Sequence, residues 1–188
     1  MRRTLLLAAL AGAAIAPAQT VDRLLSGPFT YGFLGFGLFR EGDGRSYRVG
    51  DALLTSVAIS EGLKRLTREE RPDGSDHESL PSGHATAAFA TATMMAQYHP
   101  REAALWYAGA AAIGYSRVAL RRHHWYDVVA GAALGYGVAR LEVSSPRGLL
   151  AQPTGIVTES TRSYAPQHGL AVQPWMGRGY GLMVSGRL

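Results

Sequence analysis

Pro81-Ser82-Gly83-His84-Ala85-Thr86-Ala87-Ala88-Phe89-Ala90-Thr91-Ala92-Thr93-Met94-Met95-Ala96-Gln97 is the stretch on which the fold turns. From Ala85 to Gln97 it holds no charged residue, and alanine and methionine favour a helix. A helix without a polar face is enclosed on every side rather than laid on a surface. Ser82 stands where an N-cap is needed, and His99-Pro100 ends the run. Other helices are expected to surround this one, which predicts an all-α helical bundle.

Candidate neighbours lie on both sides. Asp51 can cap a helix running to Thr67, with Leu54, Val57, Ala58 and Leu66 at helical spacing. Lys64 and Arg65 in its last turn suit the helix dipole. Arg71-Pro72-Asp73-Gly74 breaks that helix and opens a polar loop to Pro81. Further helices are predicted over 101–119, started by Pro100, and over 125–141. In the second of these, Ala130, Gly131, Ala132, Ala133, Gly135 and Gly137 would let backbones approach closely. The segment before Asp51 interleaves Phe29, Tyr31, Phe33, Phe36 and Phe39 with glycines. It reads as a short helix and loops covering the bundle, with contact to a membrane surface as the sharper alternative. After Leu141 the composition shifts to short strand-like runs over 155–159, 170–173 and 180–184, punctuated by proline and glycine. A small C-terminal antiparallel strand appendage is expected. The resulting organisation is a signal peptide over 1–18, a covering segment over 19–50, the bundle over 51–141 and the appendage over 142–188.

Composition narrows the partners. Apolar residues make up 47% and charged residues 18%, which suits well-buried helices and argues against disorder. There is no cysteine, so disulfides and thiolate metal sites are excluded. A net charge of +5 without a long basic run does not describe a nucleic-acid binder. Arg2 and Arg3, a short apolar run and Ala16-Pro17-Ala18 read as an export signal cleaved after Ala18, which places the protein in the periplasm, with membrane association left open. That run is too short to span a bilayer, which takes about 20 residues.

Three polar signatures interrupt the apolar sequence. Lys64 is followed after six residues by Arg71-Pro72. Pro81-Ser82-Gly83-His84 forms the second. Ser116-Arg117 is followed after five residues by His123, and after three more residues by Asp127. A tetrahedral anion needs several donors at fixed angles. Lys64, Arg71 and Arg117 supply charge, and Ser82 supplies a hydroxyl. The Gly83 amide lies at a helix start, where orphan N–H groups and the dipole favour anions. If His123 and Asp127 share the first helical turn, the carboxylate can fix the imidazole tautomer and leave the other nitrogen to attack. Protonated His84 can then serve the leaving oxygen as general acid, so activity should decline well above neutral pH. Each signature alone is ordinary: a surface ion pair, a helix cap, a solvated charged face. Their ordered co-occurrence is not. Arg121, Arg122 and His124 read as rim residues. Asp73, Asp76, His77 and Glu78 read as a solvated loop rather than a metal cluster.

Together the three signatures resemble those of the type 2 phosphatidic acid phosphatase and vanadium haloperoxidase superfamily, at every signature position, over residues 51–141. The resemblance implies a helical bundle of the acid phosphatase type that presents the motifs at one end. Lys64, Arg71, Ser82, Gly83 and Arg117 would bind phosphate. His84 would be the acid, His123 the nucleophile and Asp127 its orienting partner. The implied activity is hydrolysis of a phosphate monoester or lipid (di)phosphate through a phosphohistidine, with no metal or other cofactor. The alternatives are a haloperoxidase that holds vanadate on His123, and a non-catalytic phosphate-binding module of the envelope. Substrate identity and oligomeric state stay open.

Overall fold

The computed structural model describes residues 18–41, 44–146, 148–150, 169–176 and 180–187, the last two stretches as backbone. The expected signal sequence and the strand over 155–159 lie outside these residues. Among these residues six α-helices run in order: α1 (Ala18–Leu24), α2 (Thr30–Phe39), α3 (Gly44–Thr67), α4 (Gly83–Tyr98), α5 (Ala103–Ala119) and α6 (Trp125–Ser144). A π-helical turn, Leu25–Phe29, joins α1 to α2, and a 3₁₀ turn, Pro100–Glu102, leads into α5. Two antiparallel strands follow, β1 (Gly169–Met176) and β2 (Tyr180–Arg187), with Gly169 opposite Arg187 and Met176 opposite Tyr180. The expected all-α bundle with its strand appendage is what the chain forms.

The charge-free helix α4 is the axle. It packs against α2, α3, α5 and α6, and Ala85, Ala88, Ala90, Ala92, Met94 and Met95 have no exposed surface. Its small side chains bring little apolar area each, so cohesion depends on close approach. Two glycines of α6 make this possible. A Cβ on Gly131 would lie 2.5 Å from the Ser82 carbonyl oxygen, and one on Gly135 would strike the Thr86 carbonyl. Gly137, read from the sequence as part of the same contact, has nothing within reach of a Cβ.

Helix α3 begins at Gly44, so Asp51 is not its cap but lies inside it. The Asp51 carboxylate instead accepts the Leu150 N–H at 2.9 and 3.1 Å and the Thr55 hydroxyl at 3.1 Å. The buried face of α3 is the stripe Val49, Ala52, Ser56, Ser60 and Lys64, spaced by three or four residues. Lys64 is therefore carried inward by the face that packs on α4. At the other end of α3, buried Arg48 pairs with buried Glu142 of α6 at 3.1 Å and donates to the Ser145 carbonyl at 2.9 Å. The Leu149 N–H donates to the same Glu142 carboxylate at 2.8 Å. Burial pushes the Glu142 carboxyl up to about 7 against the pull of Arg48.

The covering segment is helical and docks through aromatic contacts. Phe33 meets Trp106 of α5 edge-on at 5.0 Å, Phe36 stacks on the same indole at 5.8 Å, and Gly37 sits against Thr91 of α4. Arg40 pairs with Glu102, and Glu41 with His99, which pins the end of α2 to the corner between α4 and α5. Among the described residues, no helix is long and apolar enough to cross a membrane.

Candidate active site

The site forms where four helix ends, those of α3 and α5 and the starts of α4 and α6, meet at one end of the bundle. The end of α3 supplies Lys64, and Arg68 closes it with a left-handed backbone (φ 49°) whose N–H bonds to the Lys64 carbonyl at 3.0 Å. The loop that follows is stitched back to α3. Its Ser79 N–H bonds to the Glu69 carbonyl, and the Thr67 hydroxyl bonds to the Leu80 carbonyl at 2.8 Å. Helix α5 ends in a comparable reversal at Arg121 (φ 56°), where the Arg122 and His123 amides both donate to the Arg117 carbonyl, at 3.0 and 3.2 Å. That turn brings His123 back beside Arg117, six residues earlier in the chain. The Ser82 N–H bonds to the Asp127 carbonyl at 3.0 Å and ties the start of α4 to the start of α6.

All three cations expected on the anion are present at this end. Lys64 is buried and pairs with Glu61 at 2.6 Å. The Arg71 Nε lies 2.6 Å from Asp76. Arg117 is also buried, yet no carboxylate lies within ion-pair distance of it among the described residues, and its Nε has no hydrogen-bond partner. One of its terminal nitrogens donates to the Ser26 hydroxyl. Burial, then the neighbouring charges of Arg71 and Arg122, pull the Arg117 guanidinium down to about 10. The Ser82 hydroxyl is fully buried and unpartnered as well, and it makes no side-chain cap. The Arg117 Nε and the Ser82 hydroxyl are thus buried polar groups with hydrogen-bonding capacity to spare. Gly83 has a steric reason to be glycine: a Cβ there would come within 3.3 Å of the Lys64 amino group.

Both histidines sit in this cationic field. His84 is pushed down to about 4 by burial and then by the charges of Arg117 and Lys64. His123 is pushed down to about 4 by burial and then by Arg117 and Arg71. Arg117 and Arg71 act on both rings, so the second and third signatures converge on the same place. Each ring also has a main-chain acceptor that the sequence did not announce. The His123 Nδ1 lies 2.8 Å from the Ser79 carbonyl oxygen, and the His84 ring hydrogen-bonds to the Ser26 main chain. A carbonyl only accepts, so His123 Nδ1 carries the proton and the lone pair of the neutral ring sits on Nε2.

Asp127 stands differently from the expectation. His123 precedes α6 instead of lying on its first turn, because His124 is the N-cap. The Asp127 carboxylate is therefore at the third helical position, where it takes the His124 N–H at 2.8 Å. It also accepts the Ser79 hydroxyl and lies 3.7 Å from His123 Nδ1, outside hydrogen-bond reach. Asp127 thus fixes Ser79, and Ser79 holds the imidazole. The rim residues serve the loop: Arg122 pairs with Asp73 at 3.1 Å, Arg121 reaches the Pro72 carbonyl at 3.5 Å, and the His124 ring stacks on Tyr126. Asp73 and Asp76 are engaged in these pairs and in turn bonds to Ser75 and Glu78. No group of three or more metal-ligating side chains occurs among the described residues. Beside Lys64 an open hollow of about 610 Å³ is lined by Lys64, Arg65, Arg68, Asp76, His77 and Glu78.

Three comparisons bear on this geometry. The lipid A 1-phosphatase of Porphyromonas gingivalis is 41% identical over 91 residues, which is 45% of this chain and 20% of that protein. The chain thus spans about a fifth of the length of the curated relative it matches. The crystal structure of Aquifex aeolicus LpxE superposes with a TM-score of 0.54 at 24% identity, covering 64% of this chain and 79% of that one, a likeness of fold. The family model of the PAP2 superfamily matches residues 48–149, from the buried arginine of α3 to the loop held by Glu142, and takes in all three signatures. The chain belongs to the PAP2 superfamily.

Proposed function

We propose that the protein is a phosphatase that hydrolyses a phosphate monoester or lipid (di)phosphate through a phosphohistidine on His123, outside the cytoplasm. The observation that carries this reading is the buried Arg117, with no carboxylate within ion-pair distance among the described residues, next to two imidazoles that burial, and then its charge, keep neutral. Lys64, Arg71, Arg117, the Ser82 hydroxyl and the Gly83 amide would surround the phosphoryl oxygens. His123 Nε2 attacks phosphorus as the bond to the leaving oxygen breaks, and His84 gives that oxygen its proton. Water then attacks the phosphohistidine, returns a proton to His84 and releases phosphate. The three cations supply the charge stabilisation for which other phosphoryl-transfer sites use a metal.

Burial, then the charges of Arg117 and Lys64, keep His84 neutral above about pH 4. A dianionic phosphate offsets the surrounding cations and raises that pKa, so the acid takes up its proton together with the substrate. For the substrate class, the lipid A 1-phosphatase likeness favours a phosphorylated lipid. Leu66 and Trp125, 80% and 68% exposed at the site ends of α3 and α6, would meet its apolar part.

Purified full-length protein incubated with ³²P-labelled lipid phosphate and a chelator, then quenched in base, should retain label that is stable to alkali and lost in acid. His123→Ala should abolish both label and turnover while its circular dichroism stays that of the wild type. Equal turnover in that variant would eliminate the mechanism.

A further inference from the structure

The three signatures leave one close neighbour of the pocket unexplained. Ser26 is buried in the π-helical turn between α1 and α2, some twenty residues before the family match begins. Its hydroxyl accepts a hydrogen bond from Arg117, and its main chain hydrogen-bonds to the His84 ring.

The local backbone explains how Ser26 does this. In a regular α-helix the Thr30 N–H would bond to the Ser26 carbonyl, four residues earlier. Here the Thr30 amide bonds to the Gly27 carbonyl, and the Thr30 hydroxyl takes the Leu25 carbonyl at 2.6 Å. Pro28 within the turn has no N–H to offer. The Ser26 carbonyl therefore does not take the Thr30 N–H that a regular α-helix would give it. Single π turns of this kind recur at functional sites. The turn is held in place from behind by the packing of Phe33 and Phe36 on Trp106.

We infer that Ser26 is a positioning residue of the phosphate pocket: its carbonyl orients His84, its hydroxyl seats Arg117, and the N-terminal helical segment is an integral wall of the active site. The inference rests on the phosphatase reading above. Ser26 engages only one nitrogen of Arg117 and leaves Nε unpartnered. It aligns the guanidinium and leaves it donors for an anion, so it is not a plug. A single hydroxyl also costs less to bury beside a cation than a carboxylate would, and it does not compete by charge with the incoming phosphate.

The test compares wild type, Ser26→Ala and Ser26→Thr as full-length proteins. The readouts are turnover of p-nitrophenyl phosphate, binding of inorganic phosphate by calorimetry, and the side-chain NMR signals of Arg117. In Ser26→Ala, KM and the phosphate Kd should each rise about tenfold with a much smaller change in kcat, and Arg117 should lose its slowly rotating guanidinium signal. Ser26→Thr should restore all three to within about threefold. Unchanged phosphate binding in Ser26→Ala overturns the inference. Tighter binding or faster turnover also overturns it and makes the turn an obstruction. A wild type that shows a locked Arg117 and binds phosphate without turnover would sink the phosphatase reading and leave the seat of Arg117 standing.

Discussion

Acid should unfold this protein through its own active site. Both pocket histidines are held down at about 4, against an ordinary 6.5, by burial and by the same cations. The unfolded chain therefore binds more protons than the folded one between pH 6.5 and 4, and stability falls as pH falls through that window. Each histidine accounts for (6.5 − 4) × 1.36, about 3 kcal/mol, by pH 4. Against a total of about 5–15 kcal/mol for a domain, the pair is decisive. Glu142 works in the opposite direction: its carboxyl, raised to about 7 from 4.5, favours the folded state as pH falls through 7. Wild type alone would show only the difference, so variants are needed. Urea denaturation at pH 7 and pH 4.5 should show His84→Gln and His123→Gln each losing about 2–3 kcal/mol less than wild type on acidification. Saturating inorganic phosphate should flatten the wild-type dependence, because the anion returns the missing negative charge. If the variants lose as much stability as the wild type, the histidines are not in the cationic field described, and the pocket argument fails with them.

Three further outcomes follow from particular contacts. Asp127→Asn keeps the shape but weakens the hold on Ser79 and the His124 amide; kcat should fall about 10- to 100-fold and stability by about 1–3 kcal/mol, read by kinetics and urea midpoints. Gly83→Ala places a methyl 3.3 Å from the Lys64 amino group; KM should rise severalfold with an unchanged fold, and an unaltered KM would show that Lys64 has room to move. Arg48→Met strands the Glu142 carboxylate in the core, at a cost of about 3–5 kcal/mol at pH 8. The cost should shrink at pH 5, where the carboxyl is protonated, and a pH-independent loss would place the damage in packing instead.

Much of this was legible from residue types. The charge-free run after His84 announced an enclosed helix, and the spacing of Lys64, Arg71 and Arg117 marked three cations that the fold gathers at one end of the bundle. The errors have physical causes. Gly50-Asp51 looks like a break followed by a cap, yet Gly50 continues α3 against the Leu38 side chain, and Asp51 spends its carboxylate on the loop at Leu150. His123 and Asp127 have a helical spacing, but His124 takes the cap position and leaves His123 off the helix. Ser79 and Ser26 hold the two imidazoles through main-chain atoms, which no residue type advertises. Arg48 and Glu142 lie 94 residues apart, and nothing in their local sequence links them.

Holding both imidazoles on peptide oxygens has an evolutionary corollary. A point substitution at residue 26 or 79 can remove the hydroxyl that meets Arg117 or Asp127, but it cannot delete the carbonyl that faces the ring. One residue inserted or removed in 25–29 or 76–80 would carry the oxygen away from its ring while every signature residue remained. Drift in this lineage should therefore be strict in the spacing of those two segments, over and above what the hydroxyls of Ser26 and Ser79 and the Asp76 carboxylate demand of particular side chains.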